Sequence, residues 1–149
     1  MDNVANSLVS AGRSRIRAAY GLACDVLNDD RAFRVDLPAA AGGAATGPTP
    51  EQLLRASLGA SFVMDVRARA ARSGVSLQGF ELEIASESDC DGGPALRGWT
   101  RVTFDVSVRS AAPAHRVRRI FAAAFASNPL LAVLRDGIER SLRVRVIPG

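Results

Sequence analysis

Gly47–Gly74, GPTPEQLLRASLGASFVMDVRARAARSG, is the stretch whose reading decides the fold. It predicts one long helix with a start signal and a stop signal. Thr49 is a good N-cap, Pro50 suits the first helical position, and Glu51 places a carboxylate in the first turn. Gly74 stands where a left-handed terminator belongs, behind arginines that suit the negative end of the helix dipole. Leu54, Leu58, Phe62, Val63 and Val66 recur at three- and four-residue spacings, with alanine, serine and glycine between them. Only the last turns, with Arg67, Arg69 and Arg72, are polar. The first four turns could therefore be buried on more than one side, as a central helix is.

Outward from this helix the period is two. Toward the N-terminus, Tyr20–Leu27 reads as a strand with Tyr20, Leu22, Cys24 and Val26 on one face. Asn28-Asp29-Asp30 supplies a turn, and Phe33, Val35 and Leu37 alternate with Arg34 and Asp36, completing a hairpin. Residues 1–18 read as an N-terminal extension or short helix, although the alternation of Arg13, Arg15 and Arg17 fits a strand equally. Pro38–Pro48 is a loop of alanine, glycine and proline. Toward the C-terminus, Phe80, Leu82 and Ile84 alternate with Glu81 and Glu83. Glu87–Pro94 reads as an exposed turn carrying Cys90. Val102, Phe104, Val106 and Val108 then give the clearest alternation in the chain, forming a second hairpin.

Ala112-Pro113 opens a second helix whose apolar stripe is Val117, Ile120, Phe121, Ala124 and Phe125. Asn128-Pro129 interrupts it, since a residue before proline is pushed out of helical geometry. Leu130–Arg135 reads as a short third helix ending at Gly137. A last strand follows, with Leu142, Val144 and Val146 facing inward. The order implies one α+β domain over residues 1–149, with two antiparallel hairpins and a C-terminal strand forming a sheet packed on the two helices.

The chain has 149 residues, enough for one domain with a real core. No apolar run approaches the roughly 18 residues of a membrane span and no secretory signal is visible, so the expectation is a soluble, cytoplasmic protein without a membrane partner. The net charge of +4 comes from arginine alone, for the sequence contains no lysine, a usage typical of a G+C-rich bacterial genome. These arginines are scattered, without aromatic interleaving or a nucleic-acid motif, and nucleic acid is not an expected partner. Cys24 and Cys90 form no Cys-x-x-Cys motif, and with His115 as the single histidine no standard zinc site can be built within one chain. No metal or cofactor is expected, and both thiols read first as structural or surface groups.

Gly47-Pro48-Thr49-Pro50-Glu51-Gln52-Leu53-Leu54, followed by Ala56-Ser57-Leu58-Gly59-Ala60, resembles the signature of the OsmC/Ohr superfamily. The resemblance extends to Phe33–Pro38 and Gly42-Gly43 before the helix and to Gly74 and Leu77–Ile84 after it, and covers roughly residues 30–147. It implies an intertwined homodimer with the long helices packed at its centre, and a thiol peroxidase that reduces organic hydroperoxides. In that family one cysteine in the central helix attacks the peroxide and a second, just before a proline, resolves the sulfenic acid. Here Ser61 stands at the first position and Asn128 at the second. Glu51 matches a glutamate that in the Ohr branch holds an arginine over the cysteine; Arg13, Arg15, Arg17 and Arg31 are the candidates for that arginine. Without this resemblance, Glu51 reads simply as a carboxylate at a helix N-terminus.

A hydroxyl cannot pass through the sulfenic step. Nor does Gly59-Ala60-Ser61-Phe62-Val63 suit a serine hydrolase, because it is mid-helix and lacks the second glycine of a nucleophile elbow. The plain expectation for Ser61 is a hydrogen bond back to a carbonyl one turn earlier. The sequence thus points to an OsmC-like homodimer without thiol peroxidase chemistry, retaining a pocket lined by Ser61, Phe62, Phe125, Asn128 and Glu51 for an apolar small molecule with a polar head. The alternatives are an active hydroperoxide reductase using the displaced Cys24 or Cys90, and a ligand-free structural dimer.

Overall fold

The structure, a computed structural model, describes residues 12–89, 97–134 and 136–149. It divides into two compact units whose boundary falls between Leu53 and Leu54. In the first, β1 (Ser14–Ala18), β2 (Cys24–Asn28) and β3 (Arg31–Val35) form an antiparallel sheet in the order β1-β2-β3. The alternating arginines thus belong to a strand: Arg15 pairs with Leu27 and Arg17 with Asp25, while residues 1–11 lie outside the described ones. β2 begins at Cys24 rather than at Tyr20. Gly21, at φ 67°, turns the chain, leaving Tyr20 98% exposed. The β2–β3 turn holds Asp29 at φ 51°, a left-handed conformation that a short polar side chain tolerates. Beside it, Arg34 pairs with Asp25 across the strands at 2.8 Å.

The loop after β3 is organised by one carboxylate. Asp36, 2% exposed, accepts hydrogen bonds from the backbone N–H groups of Leu37 (2.7 Å), Ala44 (3.1 Å) and Thr46 (3.1 Å) and from Thr46 Oγ1 (2.8 Å). The loop passes so close to its own strand that a Cβ at Gly43 would meet the Leu37 carbonyl and one at Gly47 the Arg34 carbonyl, so only glycine fits either place. The long helix, α1 (Pro50–Arg72), then starts on a reciprocal cap. Thr49 Oγ1 accepts from Gln52 N at 3.2 Å and Gln52 Oε1 accepts from Thr49 N at 2.8 Å, a capping box.

In the second unit the rest of α1 packs with β4 (Gln78–Asp89), β5 (Arg97–Ser110), α2 (Ala114–Ser127) and β6 (Glu139–Pro148). The sheet order is β4-β5-β6. β4 and β5 are the expected antiparallel hairpin, running further than the alternation alone suggests. Glu87–Asp89 belongs to β4 instead of the turn, and Cys90 lies outside the described residues. β6 pairs parallel to β5, with α2 as the crossover. The short third helix is a single 3₁₀ turn, Leu131–Val133. Among the described residues the strands therefore form two three-stranded sheets. The architecture is α+β, and no helix among the described residues is long and apolar enough to cross a membrane.

The core of this unit is read directly from the two periods. Leu58, Phe62, Val66 and Ala70 recur every four residues on α1 and are buried against Val102, Phe104, Val106 and Val108 of β5 and Val117, Ile120, Phe121 and Ala124 of α2. Phe62 stands at the centre, its ring centroid 5.3 Å from Phe104 and 6.1 Å from both Phe121 and Phe125. Gly59 lets α1 settle onto Leu82 and Ile84 of β4. α1 ends where Val75 N donates to Ala70 O (2.9 Å) around Gly74 at φ 63°. Leu54, assigned to the apolar stripe from its spacing, is 45% exposed, and Met64 on the outer side is 69% exposed.

Two outcomes follow from this packing. Phe104→Ala should cost about 3–5 kcal/mol in urea unfolding, the usual effect of emptying a fully buried aromatic site. Asp36 is held down from its usual 3.8 to about 2, chiefly by the Thr46 backbone N–H, then by the Thr46 hydroxyl. A carboxylate with a depressed folded pKa contributes stability above its unfolded pKa, near 4, and loses it as pH falls through the folded value. Asp36→Asn should therefore lower the melting temperature near neutrality. That difference from wild type should shrink as thermal scans move from pH about 4 to about 2.

Candidate functional site

The site is built on the middle of α1 and the end of α2. Ser61 precedes the buried Phe62 and is half-buried. Asn128 is the C-cap of α2, extended at φ −67° and ψ 121°, as a residue before proline must be, and only 3% exposed. The fold brings these two side chains together: Asn128 Nδ2 donates to Ser61 Oγ at 3.1 Å, and Ser61 Oγ is 3.3 Å from Asn128 Oδ1. Ser61 therefore bonds across to α2 rather than to a carbonyl one turn earlier. Ser57 does bond back within α1, to Leu54 O at 2.9 Å, as Ser127 does within α2, to Ala123 O at 2.8 Å.

Asn128 has a second task that the sequence reading missed. Its Oδ1 accepts the backbone N–H groups of Leu130 (3.0 Å) and Leu131 (3.1 Å), capping the 3₁₀ turn after Pro129. Asparagine ahead of a short helical turn is itself the signal that could have found it. A further polar link joins the helices nearby. Arg69 donates through Nε to Asp65 Oδ1 (2.8 Å) and through Nη2 to Ser127 Oγ (2.7 Å). The arginine thereby sits at the C-terminal end of α2, where the helix dipole favours a cation.

The other expected site residues are distributed as follows. Phe62 is fully buried beneath Ser61, and Phe125 is half-buried beside it, their rings edge to face. Glu51 is exposed in the first turn of α1, within the first unit. Arg13, Arg15, Arg17 and Arg31 are exposed around the first sheet, and no ion pair joins any of them to Glu51 among the described residues. Cys24 is a half-buried free thiol on β2. His115 is exposed in the first turn of α2, and the side-chain partner of Ser61 is Asn128, so the serine has no imidazole base among its hydrogen bonds. A hydroxyl and a carboxamide can donate and accept hydrogen bonds; neither supplies a thiolate.

A family model for OsmC-like proteins matches residues 42–143, and the chain belongs to that family. Solved structures similar to it share its fold. The OsmC-like protein of Mycoplasma pneumoniae superimposes with a TM-score of 0.72 at 13% identity, covering 91% of this chain and 96% of that one. An organic hydroperoxide resistance protein OsmC of Legionella pneumophila gives 0.66 at 20% identity, with 93% and 98% covered. The organic hydroperoxide resistance protein OhrB of Bacillus subtilis gives 0.62 at 20% identity, with 90% and 97% covered. At these identities the likeness is one of fold. No curated protein matches the chain.

The hydrogen bonds rank the two side chains. Asn128→Ala removes the acceptor of two backbone N–H groups and the donor to Ser61, and should cost about 1–3 kcal/mol. Ser61→Ala removes a single partner and should cost about 1 kcal/mol or less. Chemical denaturation of the two variants checks the order.

Proposed function

We propose that this protein is an OsmC-like homodimer that does not reduce hydroperoxides through its Ser61–Asn128 site and instead holds a small molecule there. The observation that carries the reading is the 3.1 Å hydrogen bond between Asn128 and Ser61. The positions at which the resembling family places its two cysteines are neighbours in this fold, and both have exchanged sulfur for a hydrogen-bonding group. The replacement is mutual, since the amide of one satisfies the hydroxyl of the other. A site losing its chemistry by a single accident would not acquire a matched pair.

The dimer rests on the outer side of α1. Ala60 and Met64, four residues apart, are exposed there, and Leu54 is exposed nearer the start of α1; a second copy would cover these apolar side chains. The ligand suited to the site carries a polar head for Ser61 and Asn128 and an apolar body, with Phe125 as part of the wall.

Purified wild-type protein, given an organic hydroperoxide and a dithiol or lipoamide reductant, should consume no peroxide above a protein-free blank. Turnover abolished by Cys24→Ala or Cys90→Ala would overturn the reading and assign the chemistry to a displaced thiol. The double variant Ser61→Cys, Asn128→Cys should form an intramolecular disulfide when treated with the hydroperoxide, visible as a mobility shift on non-reducing gels. Native mass spectrometry of the wild-type dimer should show a co-purifying small molecule that is lost on denaturation.

A further inference from the structure

A concave region of the larger unit lies between the last turns of α1 and the first half of α2, with a volume of about 530 Å³. Four arginines line it, Arg69 and Arg72 from α1 and Arg116 and Arg119 from α2, over apolar side chains that include Val75 and Ile120. No carboxylate is among the lining residues. The one described acidic partner of the group is Asp65, which pairs with Arg69 at 2.8 Å. Arg116 donates to the Ser73 carbonyl at 3.3 Å. Arg72 and Arg119 have no side-chain partner among the described residues.

Arg69 and Arg72 suit the C-terminal end of α1, but the arrangement as a whole sets like charges against one another. Arg69/Arg72 and Arg116/Arg119 are each three residues apart, so each pair sets like charges on one helix face. α2 has no acidic residue in its first turn, where the helix dipole would favour one, and has Arg116 there instead. A solvated basic face costs little on a convex surface. Four guanidinium groups around one concavity repel one another more strongly, because low-dielectric walls concentrate the field. An anion with two charged groups removes that repulsion, one group meeting each i,i+3 pair, and guanidinium forks match phosphate oxygens two at a time.

We propose that this groove binds a small molecule bearing a diphosphate or two closely spaced phosphates. The site is separate in its residues from Ser61 and Asn128, and the proposal does not depend on the function proposed for them. The chemistry recognised is the pair of phosphates, whether inorganic or part of a nucleotide.

The test is isothermal titration of the full chain with inorganic pyrophosphate and, separately, with ADP, at constant ionic strength. Saturable submillimolar binding of pyrophosphate is expected. Equal affinity for ADP places recognition in the phosphates alone, whereas tighter ADP binding adds the apolar floor; either result supports the groove. Arg72→Gln with Arg119→Gln should weaken binding at least about tenfold, while Arg143→Gln, on β6, should leave it unchanged. In chloride without pyrophosphate, the melting temperature of the double variant should equal or exceed that of wild type, since a repulsion has been removed. If the double variant fails to fold, Arg119→Gln alone should give a smaller loss of affinity. No saturable binding at millimolar pyrophosphate would overturn the proposal, as would unchanged binding in the folded arginine variants. Binding of duplex DNA without pyrophosphate would also overturn it, assigning the charge to a nucleic-acid surface.

Discussion

The burial of Phe62 is the constraint on which the larger unit depends. One ring touches the aromatic side chains of β5 and α2 at once, so the central helix, the middle strand and the crossover helix are fixed by a shared contact. Edge-to-face aromatic packing has directional preferences that aliphatic packing lacks, which sets the rotation of α1 about its own axis. Ser61 precedes Phe62 in the chain, and its direction follows from that rotation. The placing of this hydroxyl is therefore a consequence of the same packing.

Much of this was legible in the residues. Strict alternation in Val102–Val108 and the three- and four-residue spacing of Val117–Phe125 predict a strand and a helix that the structure contains, and Thr49-Pro50 predicts where α1 begins. Spacing was less informative for Leu54, because a helix flanked by small residues offers no polar stripe to mark its outer face. Tyr20 was misplaced because an apolar residue at the right alternation outweighed the adjacent Gly21, whose positive φ ends the extended chain. The parallel pairing of β6 followed from no local pattern. It arises from the crossover through α2, a choice made by topology rather than by side-chain period.

The candidate site was half legible. The position of Ser61 and of Asn128 came from resemblance to a family, and nothing in their separate surroundings brings residues 61 and 128 together. Their hydrogen bond depends on where α2 ends, which Pro129 fixes through the conformation it imposes on its predecessor. The clustering of arginines between the helices was invisible in the same way. In sequence they look scattered, because the charge that accumulates in space is contributed by two helices far apart along the chain.

The cap formed by Asn128 ties this side chain to more than Ser61. The carboxamide oxygen holds the Leu130 and Leu131 N–H groups while its nitrogen serves Ser61. A thiol at the same place would be a poor acceptor for those backbone donors and would leave them buried and unpaired. Cysteine at residue 128 would therefore leave the turn after Pro129 without its cap, whatever bond its sulfur made. Any exchange at this position disturbs the turn as well as the contact with Ser61.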